Sequence, residues 1–353
     1  MSKILLHGTE AICEGALRNG CRAFFGYPIT PQNEVPEYMS VELPKLGGAF
    51  VQAESEVSAI NMVYGAAGAG IRSMTSSSSP GISLKQEGIS YIAGAELPCV
   101  IVNVVRAGPG LGGIQPAQGD YFQAVKGGGH GDYKLIVYAP SSVQEACDYT
   151  YKAFDISDKY RVPVMILADG MIGQMMEAVE LPPMRDLNTI PKKEWATDGR
   201  FGKDRRVITS LRIQPDDLEA FLNKMYKRYA EIEKNETLFE EYKTSDAEIV
   251  ITAYGTVGRI CKSVVDTLRQ EGIKAGFIRP ITVYPFPAAV YERVASQPCV
   301  KKFLTVELSM GQMIEDVRLS VNGKKPVEFY GRSGGNITSE EEIAKAAKEA
   351  LNR

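Results

Sequence analysis

Short apolar runs, rich in β-branched and aromatic residues, recur along the first half of the chain and alternate with longer amphipathic stretches. Such runs are typical of β-strands that are covered on both faces, and their alternation with helices predicts a parallel, doubly wound sheet. The predicted strands are residues 3–7, 23–27, 49–52, 99–105, 135–138 and 163–167. The predicted helices are residues 10–18, 55–70, 83–97 and 142–159. We therefore expect an α/β domain at residues 1–180.

The alternation stops after residue 180 and resumes at residue 247. Residues 181–246 are expected to form a connector, in which residues 216–243 carry apolar side chains at spacings of three and four and should form an amphipathic helix. Residues 247–353 repeat the strand and helix alternation and predict a second, smaller α/β domain. Its strands are expected at residues 248–253, 275–278 and 302–307. Its helices are expected at residues 257–270, 288–296, 312–321 and, after a capping box that begins at Ser339, up to residue 351.

Composition restricts the class of function. Hydrophobic residues make up 44% of the 353 residues and charged residues 24%, which is ordinary for a globular protein. The net charge of -3 offers no broad basic surface for nucleic acid. No apolar run approaches the roughly 20 residues that a membrane helix needs, so we expect a cytoplasmic protein with no membrane partner.

Cysteine and histidine usage argues against a metal site on this chain. The six cysteines are scattered without a Cys-x-x-Cys pair, and only two histidines are present. These numbers indicate neither a zinc site nor an iron–sulfur cluster, and they argue against a Ser-His-Asp hydrolase. The chemistry must therefore come from other residues.

Four segments contain more unusual residues than a sheet requires: residues 26–31, 54–56, 75–81 and 106–113. Ligands of open α/β sheets bind outside the carboxyl ends of the strands, where these segments are expected, so we predict that they share a site. Each segment also has a purely structural explanation. Proline and glycine form turns, carboxylates favour helix N-termini, and serines suit solvated loops. Thr30 followed by Pro31 also predicts the start of a helix.

Taken together, these segments resemble the pyrimidine-binding domain of the 2-oxoacid:ferredoxin oxidoreductases, which are thiamine-diphosphate enzymes of anaerobic metabolism. The strings that carry the resemblance are GYPITPQNE at residues 26–34, QAESE at 52–56, SSSSPGISLKQEG at 76–88 and RAGPGLGGIQ at 106–115. Farther along, TAYGTVG at 252–258 and RPITVYP at 279–285 resemble the family's transketolase C-terminal-like domain. The resemblance covers nearly the whole chain. It is strongest to the alpha-type subunit of the branched-chain enzymes, which act on 3-methyl-2-oxobutanoate.

The resemblance implies a catalytic role for Glu56. In thiamine-dependent families, a glutamate of this domain bonds the pyrimidine ring of the cofactor and promotes the imino tautomer, whose nitrogen removes the thiazolium proton. A carboxylate in a low dielectric suits proton sharing with a weakly basic ring nitrogen. Glu54 is the second candidate for this role. The structural alternative for Glu56 is an acid in a first helical turn, favoured by the helix dipole.

The resemblance also implies contacts from two loops. Pro28, Ile29 and Thr30 are expected to contact the cofactor, and Thr30 and Arg106 to bind the substrate. A guanidinium suits a planar carboxylate because it can donate two parallel hydrogen bonds. Glycines would let the loop after Arg106 approach or cover the ligand, or would simply make it a flexible turn. These loop glycines are Gly108, Gly110, Gly112 and Gly113.

The family's motif for the diphosphate and Mg²⁺, a Gly-Asp-Gly followed by an Asn, is missing. The nearest match, Ala-Asp-Gly at residues 168–170, has the wrong first residue and lies in the wrong domain. The resemblance therefore implies that a beta-type subunit completes the thiamine diphosphate site and holds Mg²⁺. It further implies that a ferredoxin-like subunit holds the iron–sulfur clusters, and that coenzyme A and ferredoxin are the co-substrates.

Several functions remain open at this point. The first is oxidative decarboxylation of a branched-chain 2-oxo acid, and the second is the same chemistry on 2-oxoglutarate or pyruvate. The loop at residues 108–115 has no cation for a second carboxylate, which favours an apolar substrate side chain. A third possibility is a non-catalytic assembly subunit. A fourth is a dinucleotide-binding module, although a Gly-x-Gly-x-x-Gly after the first strand is absent.

Overall fold

The structure, a computed structural model, describes residues 3–199 and 204–352. In this part of the chain, fourteen strands alternate with twelve α-helices. The strands β1 to β14 are Ile4–His7, Ala23–Gly26, Ala49–Gln52, Ser73–Ser77, Val100–Val105, Ile136–Tyr138, Val164–Asp169, Met176–Val179, Phe239–Tyr242, Ile249–Thr252, Ala275–Pro280, Thr282–Tyr284, Lys302–Glu307 and Val327–Gly331. The helices α1 to α12 are Gly8–Arg18, Glu34–Lys45, Glu56–Gly68, Ser79–Gly94, Tyr121–Val125, Val143–Tyr160, Gly170–Gln174, Pro215–Asn235, Gly255–Gln270, Ala288–Ala295, Met313–Val321 and Glu340–Asn352.

The main sheet has seven strands in the order β12-β6-β7-β5-β4-β2-β3. All of its pairings are parallel except that of β12 with β6. The chain passes from β2 outward to β3 and then returns to β4 on the other side of β2. The direction of winding thus changes between β2 and β4, where open α/β sheets bind ligands. The predicted doubly wound parallel sheet is confirmed.

Strand β4 is polar but lies buried in this sheet, and the sequence did not predict it. Its residues, Ser-Met-Thr-Ser-Ser, are all buried. The Thr75 hydroxyl donates to the carbonyl of Phe25 at 2.6 Å, and the Ser76 hydroxyl donates to the side-chain carbonyl of Gln32. Lys85 Nζ donates to Thr75 Oγ1 at 2.7 Å and to the Ser76 carbonyl at 2.9 Å. Buried polar groups are tolerated when they are hydrogen-bonded, and these contacts meet that condition for Thr75 and Ser76, whereas the hydroxyls of Ser73 and Ser77 have no partner within the described residues.

The second sheet has five strands in the order β14-β13-β10-β11-β9. Strand β9 comes from the segment before residue 247 and pairs antiparallel with β11. In return, β12 from the second half joins the edge of the main sheet beside β6. Each half of the chain therefore contributes a strand to the sheet of the other half, which fixes the two halves together.

The sequence misassigned the first strand and the end of the helix predicted in the connector. The strand at residues 3–7 does not belong to the main sheet, because β1 pairs antiparallel with β8 in a separate two-stranded sheet. Only Leu6 of this apolar run is buried, so apolar composition did not indicate burial on both faces. The helix expected at residues 216–243 ends at Asn235, and β9 follows it. Within the described residues, no helix is long and apolar enough to cross a membrane.

A buried carboxylate joins the two halves at the end of β7. Asp169 Oδ1 accepts hydrogen bonds from the backbone N–H of Met171 at 3.2 Å and of Ile172 at 3.1 Å, and so caps α7. The same carboxylate accepts from the backbone N–H of Thr256 at 2.9 Å and from its hydroxyl at 2.6 Å, at the start of α9. Gly255 has a φ of +57°, and a Cβ there would lie 2.8 Å from Asp169 Oδ2. One aspartate thus caps a helix in each half.

We predict that Asp169→Ala lowers the free energy of unfolding by about 2 kcal/mol, because each lost N-cap costs on the order of 1 kcal/mol. Denaturant unfolding followed by circular dichroism measures the change. Asp186→Ala is the control, because Asp186 caps only the short turn Leu187–Thr189 at the surface. Equal losses in the two variants would contradict the double cap.

Candidate functional site

The four candidate segments follow the carboxyl ends of β2, β3, β4 and β5. These strands run parallel, so their ends meet at one edge of the main sheet. Direct contacts link the segments to one another. The guanidinium of Arg106 donates from Nη1 to the Thr30 carbonyl at 3.0 Å, and Ser79 Oγ accepts from the backbone N–H of Arg106 at 3.0 Å. The structure therefore brings the segments together around the point where the direction of winding changes.

Glu56 is the first residue of α3 and is only 6% exposed. Within the described residues, no hydrogen-bond donor contacts its carboxylate. Glu54, in contrast, is exposed and accepts a hydrogen bond from the Ser58 hydroxyl at 2.7 Å, which lowers the pKa of Glu54. A buried carboxylate without donors is costly to desolvate, so its acceptor capacity is available to a ligand that donates a hydrogen bond.

Gly81, in the first turn of α4, lies against the Glu56 carboxylate. A Cβ at this position would be 2.7 Å from Glu56 Oε1 and 2.0 Å from Ser77 Oγ. The hydroxyls of Ser77 and Ser78 are buried and have no hydrogen-bond partner within the described residues. A carboxylate and an unpartnered hydroxyl therefore lie side by side, and only glycine leaves room for both.

Arg106, immediately after β5, is only 7% exposed. Its Nη2 donates to the Leu111 carbonyl at 3.1 Å, while its buried Nε has no partner. In the described part of the chain, no carboxylate lies within ion-pair distance of the guanidinium. A buried cation without a counterion is costly, because carbonyl dipoles replace only part of its hydration. The arrangement is therefore suited to an anionic ligand.

The turn after β2 differs from its sequence prediction. Pro28 and Thr30 are exposed and Ile29 is half-buried, so all three are accessible at this edge. Helix α2 does not begin at Thr30 and Pro31 but at Glu34, because the turn first closes through a hydrogen bond from the Gln32 N–H to the Ile29 carbonyl. The extra turn carries the Gln32 side chain to Ser76.

The glycine loop after Arg106 folds back on itself. The Gly113 N–H donates to the Ala107 carbonyl at 2.9 Å. Gly112 has a φ of +61°, and a Cβ there would lie 2.0 Å from the same oxygen, so this position requires glycine. An added Cβ at Gly108 or Gly110 would meet nothing within 4 Å. These two glycines therefore face open space rather than protein.

Two cavities flank this loop. One, of about 520 Å³, is lined by Thr30 and by apolar residues that include Ile114, Met171 and Ile337. The other, of about 760 Å³, lies between the glycine loop and residues 308–312 of the second half. Neither lining includes a lysine or an arginine among the described residues. Each lining contains one carboxylate, Glu34 in the smaller cavity and Asp120 in the larger, and is otherwise apolar or neutral polar.

Lys85 is a residue of this region that the sequence analysis did not single out. It is fully buried, one turn beyond Gly81 on α4. Burial lowers the pKa of its ammonium group to about 7, and the negative charge of Glu56 acts in the opposite direction. The sequence contains an indication that Lys85 is buried. Ile82, Lys85 and Ile89 are three and four residues apart, so Lys85 lies on the buried apolar face of the helix.

The described residues contain no group of three or more His, Cys, Asp or Glu side chains that could hold a metal ion. The candidate site is therefore built from one buried carboxylate, one buried guanidinium, one buried ammonium group and unpartnered serine hydroxyls.

Comparison with known proteins gives consistent matches over almost the whole chain. Residues 14–244 match a family model described as "Pyruvate flavodoxin/ferredoxin oxidoreductase, thiamine diP-bdg", and residues 247–343 match "Pyruvate:ferredoxin oxidoreductase core domain II". The chain is 50% identical to the "Ketoisovalerate oxidoreductase subunit VorB" of Methanothermobacter marburgensis, over 99% of this chain and 98% of that protein. It is 38% identical to the "2-oxoglutarate synthase subunit KorA" of Methanocaldococcus jannaschii, over 97% of this chain and 98% of that protein.

Solved structures agree with these matches. The 2-oxoglutarate:ferredoxin oxidoreductase from Magnetococcus marinus, with 2-oxoglutarate, coenzyme A and succinyl-CoA bound, is similar with a TM-score of 0.90 and 28% sequence identity. The match covers 99% of this chain and 65% of that chain. A split gene transketolase is similar with a TM-score of 0.59 at 12% identity, which is a likeness of fold alone.

We predict that Gly81→Ala disturbs the site, because the added methyl group would overlap the Ser77 hydroxyl and the Glu56 carboxylate. Overpacking of this kind costs about 1 to 3 kcal/mol of the free energy of unfolding, which denaturant titration measures. Gly65→Ala in the neighbouring helix α3 is the matched control, because its Cβ would meet nothing within 4 Å. That variant should be neutral or slightly stabilised, and a similar loss in both would refute the steric argument.

Proposed function

Because the chain belongs to the pyruvate flavodoxin/ferredoxin oxidoreductase family, we propose that it is the alpha-type catalytic subunit of an enzyme that oxidatively decarboxylates a branched-chain 2-oxo acid. The proposed substrate is 3-methyl-2-oxobutanoate, the products are the acyl-CoA and carbon dioxide, and ferredoxin is reduced. The observation that carries the proposal is Glu56, a buried carboxylate with free acceptor capacity at the carboxyl edge of the sheet. The 50% identity to ketoisovalerate oxidoreductase subunits over nearly the full length supports the choice of substrate.

The residues present fit the pyrimidine half of thiamine diphosphate. Glu56 has acceptor capacity for a ring N–H, and the unpartnered Ser77 hydroxyl lies beside it. Accessible Pro28, Ile29 and Thr30 border the same edge. When bound, the cofactor supplies a nucleophilic carbon and an electron sink for decarboxylation.

Glu56 has the role of proton exchange with a ring nitrogen of the cofactor. Its burial lowers the local dielectric, which strengthens the interaction between a carboxyl group and a weakly basic nitrogen. Glu54, two residues earlier, is exposed and already bonded to Ser58, so it does not suit this role.

Arg106 has the role of binding the substrate carboxylate. Its Nε is buried without a partner, and its Nη1 is bonded to the carbonyl of Thr30, which lines the smaller cavity. The two carbonyl contacts hold the guanidinium in place at this edge, and its Nε has donor capacity that the described residues do not use. The apolar lining of that cavity would then contact the branched aliphatic side chain of the substrate.

A partner subunit is required to complete the site. The relatives at 50% identity are themselves named as subunits. The sequence has no diphosphate motif, and no metal-binding cluster is found among the described residues. We assign the diphosphate and Mg²⁺ to a beta-type subunit and the iron–sulfur clusters to a ferredoxin-like subunit. Leu111 and Met310, which are 84% and 83% exposed beside the cavities, are apolar surface that such a partner would cover.

The second candidate function is the same reaction on 2-oxoglutarate. It is favoured by the 38% identity to a 2-oxoglutarate synthase subunit and by the likeness to a 2-oxoglutarate:ferredoxin oxidoreductase. The linings of both cavities weigh against it, because neither has a lysine or an arginine among the described residues for a second carboxylate. Burial of an unpaired carboxylate is costly.

We predict that Glu56→Gln, in the enzyme assembled with its partner subunits, lowers turnover at least about 100-fold, because an amide cannot exchange the proton. Reduction of a viologen acceptor with a 2-oxo acid and coenzyme A measures turnover. Glu54→Gln is the matched control and should retain turnover near that of the wild type. Near-normal activity of the Glu56 variant would remove the proposed role.

We predict the ranking of substrates by kcat/KM as branched-chain 2-oxo acids first, pyruvate second and 2-oxoglutarate last. Differences of a methylene in an apolar pocket are worth about 1 to 3 kcal/mol, so aliphatic substrates should differ by about 10- to 200-fold. The kcat/KM for 2-oxoglutarate should be lower than that for any of these aliphatic substrates, because its second carboxylate would be buried without a partner. The assembled enzyme is assayed with each acid at equal coenzyme A, and 2-oxoglutarate as the best substrate would support the second candidate function instead.

A further inference from the structure

A fully buried lysine lies behind the Glu56 carboxylate. Lys85 and Gly81 are four residues apart on α4 and therefore share a face of that helix. Gly81 is in direct contact with the carboxylate, since its missing Cβ would lie 2.7 Å from Glu56 Oε1. The ammonium group of Lys85 is thus placed on the inner side of the site, away from solvent.

The elements packed around Lys85 offer it one opposite charge. Strands β4 and β5 contain no titratable side chain. Helix α3 contains a single acid, Glu56, and its charge is the one that acts on Lys85. Among the described residues, therefore, the electrostatic partner of this buried cation is Glu56.

The hydrogen bonds from Lys85 to strand β4 do not require a positive charge on the lysine. Lys85 Nζ donates to one hydroxyl, that of Thr75, and to one carbonyl, that of Ser76. A neutral amine or amide donor could make both bonds, and an ammonium group has a third donor that neither bond uses. A charged group that is fully buried is costly to desolvate, so a purely structural role leaves the charge unexplained.

We infer that Lys85 is a positioning residue that acts through Glu56, holding a compensating positive charge behind the buried carboxylate. This inference rests on the proposed function. When the Glu56 carboxyl group gives its proton to the ring nitrogen of the cofactor, the positive charge of Lys85 stabilises the carboxylate that remains. When the proton returns to Glu56, this attraction is lost, and the proton moves only between Glu56 and the ring nitrogen. No oxidant, reductant or further reactant is involved.

The test uses Lys85→Met in the enzyme assembled with its partner subunits. The first readout is calorimetry of thiamine diphosphate binding with Mg²⁺ in two buffers of different ionisation enthalpy, which counts the protons exchanged. With a pKa of about 7, Lys85 is about half protonated at pH 7. The variant should therefore differ from the wild type by up to about half a proton per site.

The second readout is the pH dependence of kcat. Loss of the charge should shift the ionisation that governs kcat by about one pH unit, which corresponds to about a tenfold change in kcat on the affected limb. Thr75→Val is the matched control, because it removes one hydrogen bond to Nζ and keeps the charge. It should change the proton count and the pH profile much less than Lys85→Met does.

Folding is followed by denaturant unfolding across pH. The pKa of Lys85 is lowered from 10.5 to about 7 in the folded chain, so the unfolded chain binds more protons between these values. The stability of the wild type should therefore rise with pH across this window more steeply than that of Lys85→Met. If the methionine variant does not fold, Lys85→Gln, which retains a donor for Thr75, takes its place.

The outcomes separate the two proposals. An unchanged proton count and pH profile in Lys85→Met overturns the inference, and so does an identical change in Thr75→Val, which would reveal a structural role. If no variant or wild-type assembly turns over a 2-oxo acid, the proposed function fails, whereas near-normal turnover of Glu56→Gln removes the role of Glu56 and with it that of Lys85. An inactive Glu56→Gln with an unaltered Lys85→Met leaves the proposed function standing and refutes only the role of Lys85.

Discussion

The candidate site depends on the burial of a polar strand inside a parallel sheet. Thr75 and Ser76 of β4 lose water on burial, and their partners come from three different elements: the Phe25 carbonyl, the Gln32 side chain and Lys85 Nζ. These bonds connect β4 to β2, to the turn that follows β2 and to α4. They fix the loop that begins α4, where Gly81 meets Glu56. Hydrogen-bond satisfaction in the sheet thus determines the geometry of its carboxyl edge.

Burial then gives the edge its chemical character. Glu56, Lys85 and Arg106 are all buried, and within the described residues neither Glu56 nor Arg106 has an opposite charge in direct contact, although the charge of Lys85 acts on Glu56 from a greater distance. Such groups reduce stability, because burial removes water that the protein replaces only in part. A ligand that donates to the carboxylate and presents an anion to the guanidinium would supply the missing interactions. The local instability and the binding capacity therefore have the same origin, which is common at functional sites.

The sequence predicted elements whose patterns are local. The strand at residues 302–307 coincides with β13, and the capping box at Ser339 forms as expected, with Ser339 and Glu342 bonding each other's backbone N–H. Strand β4 escaped prediction, because its serines and threonine are typical of loops and their partners lie up to 50 residues away in sequence. The start of α2 and the end of α8 were misplaced for a related reason. At both points a long-range contact, Gln32 to Ser76 or β9 to β11, outweighs the local propensity.

In the candidate site, too, the sequence predicted what depends on local patterns and missed what depends on long-range contacts. Short motifs singled out Glu56 and Arg106 as candidates, but they could not say which of two nearby glutamates is buried, because that depends on Gly81 and on α4 packing beside α3. Lys85 had a readable signal, its position on an apolar helical stripe, yet its significance depends on a charge that lies on another helix. For Asp169, the sequence suggested a functional motif where the structure shows a structural role. Its Ala-Asp-Gly setting resembled a degraded metal motif, whereas the structure makes it a cap for two helices across the joint between the halves. A motif reports residue types, and only the three-dimensional partners of each side chain decide which chemistry those types perform.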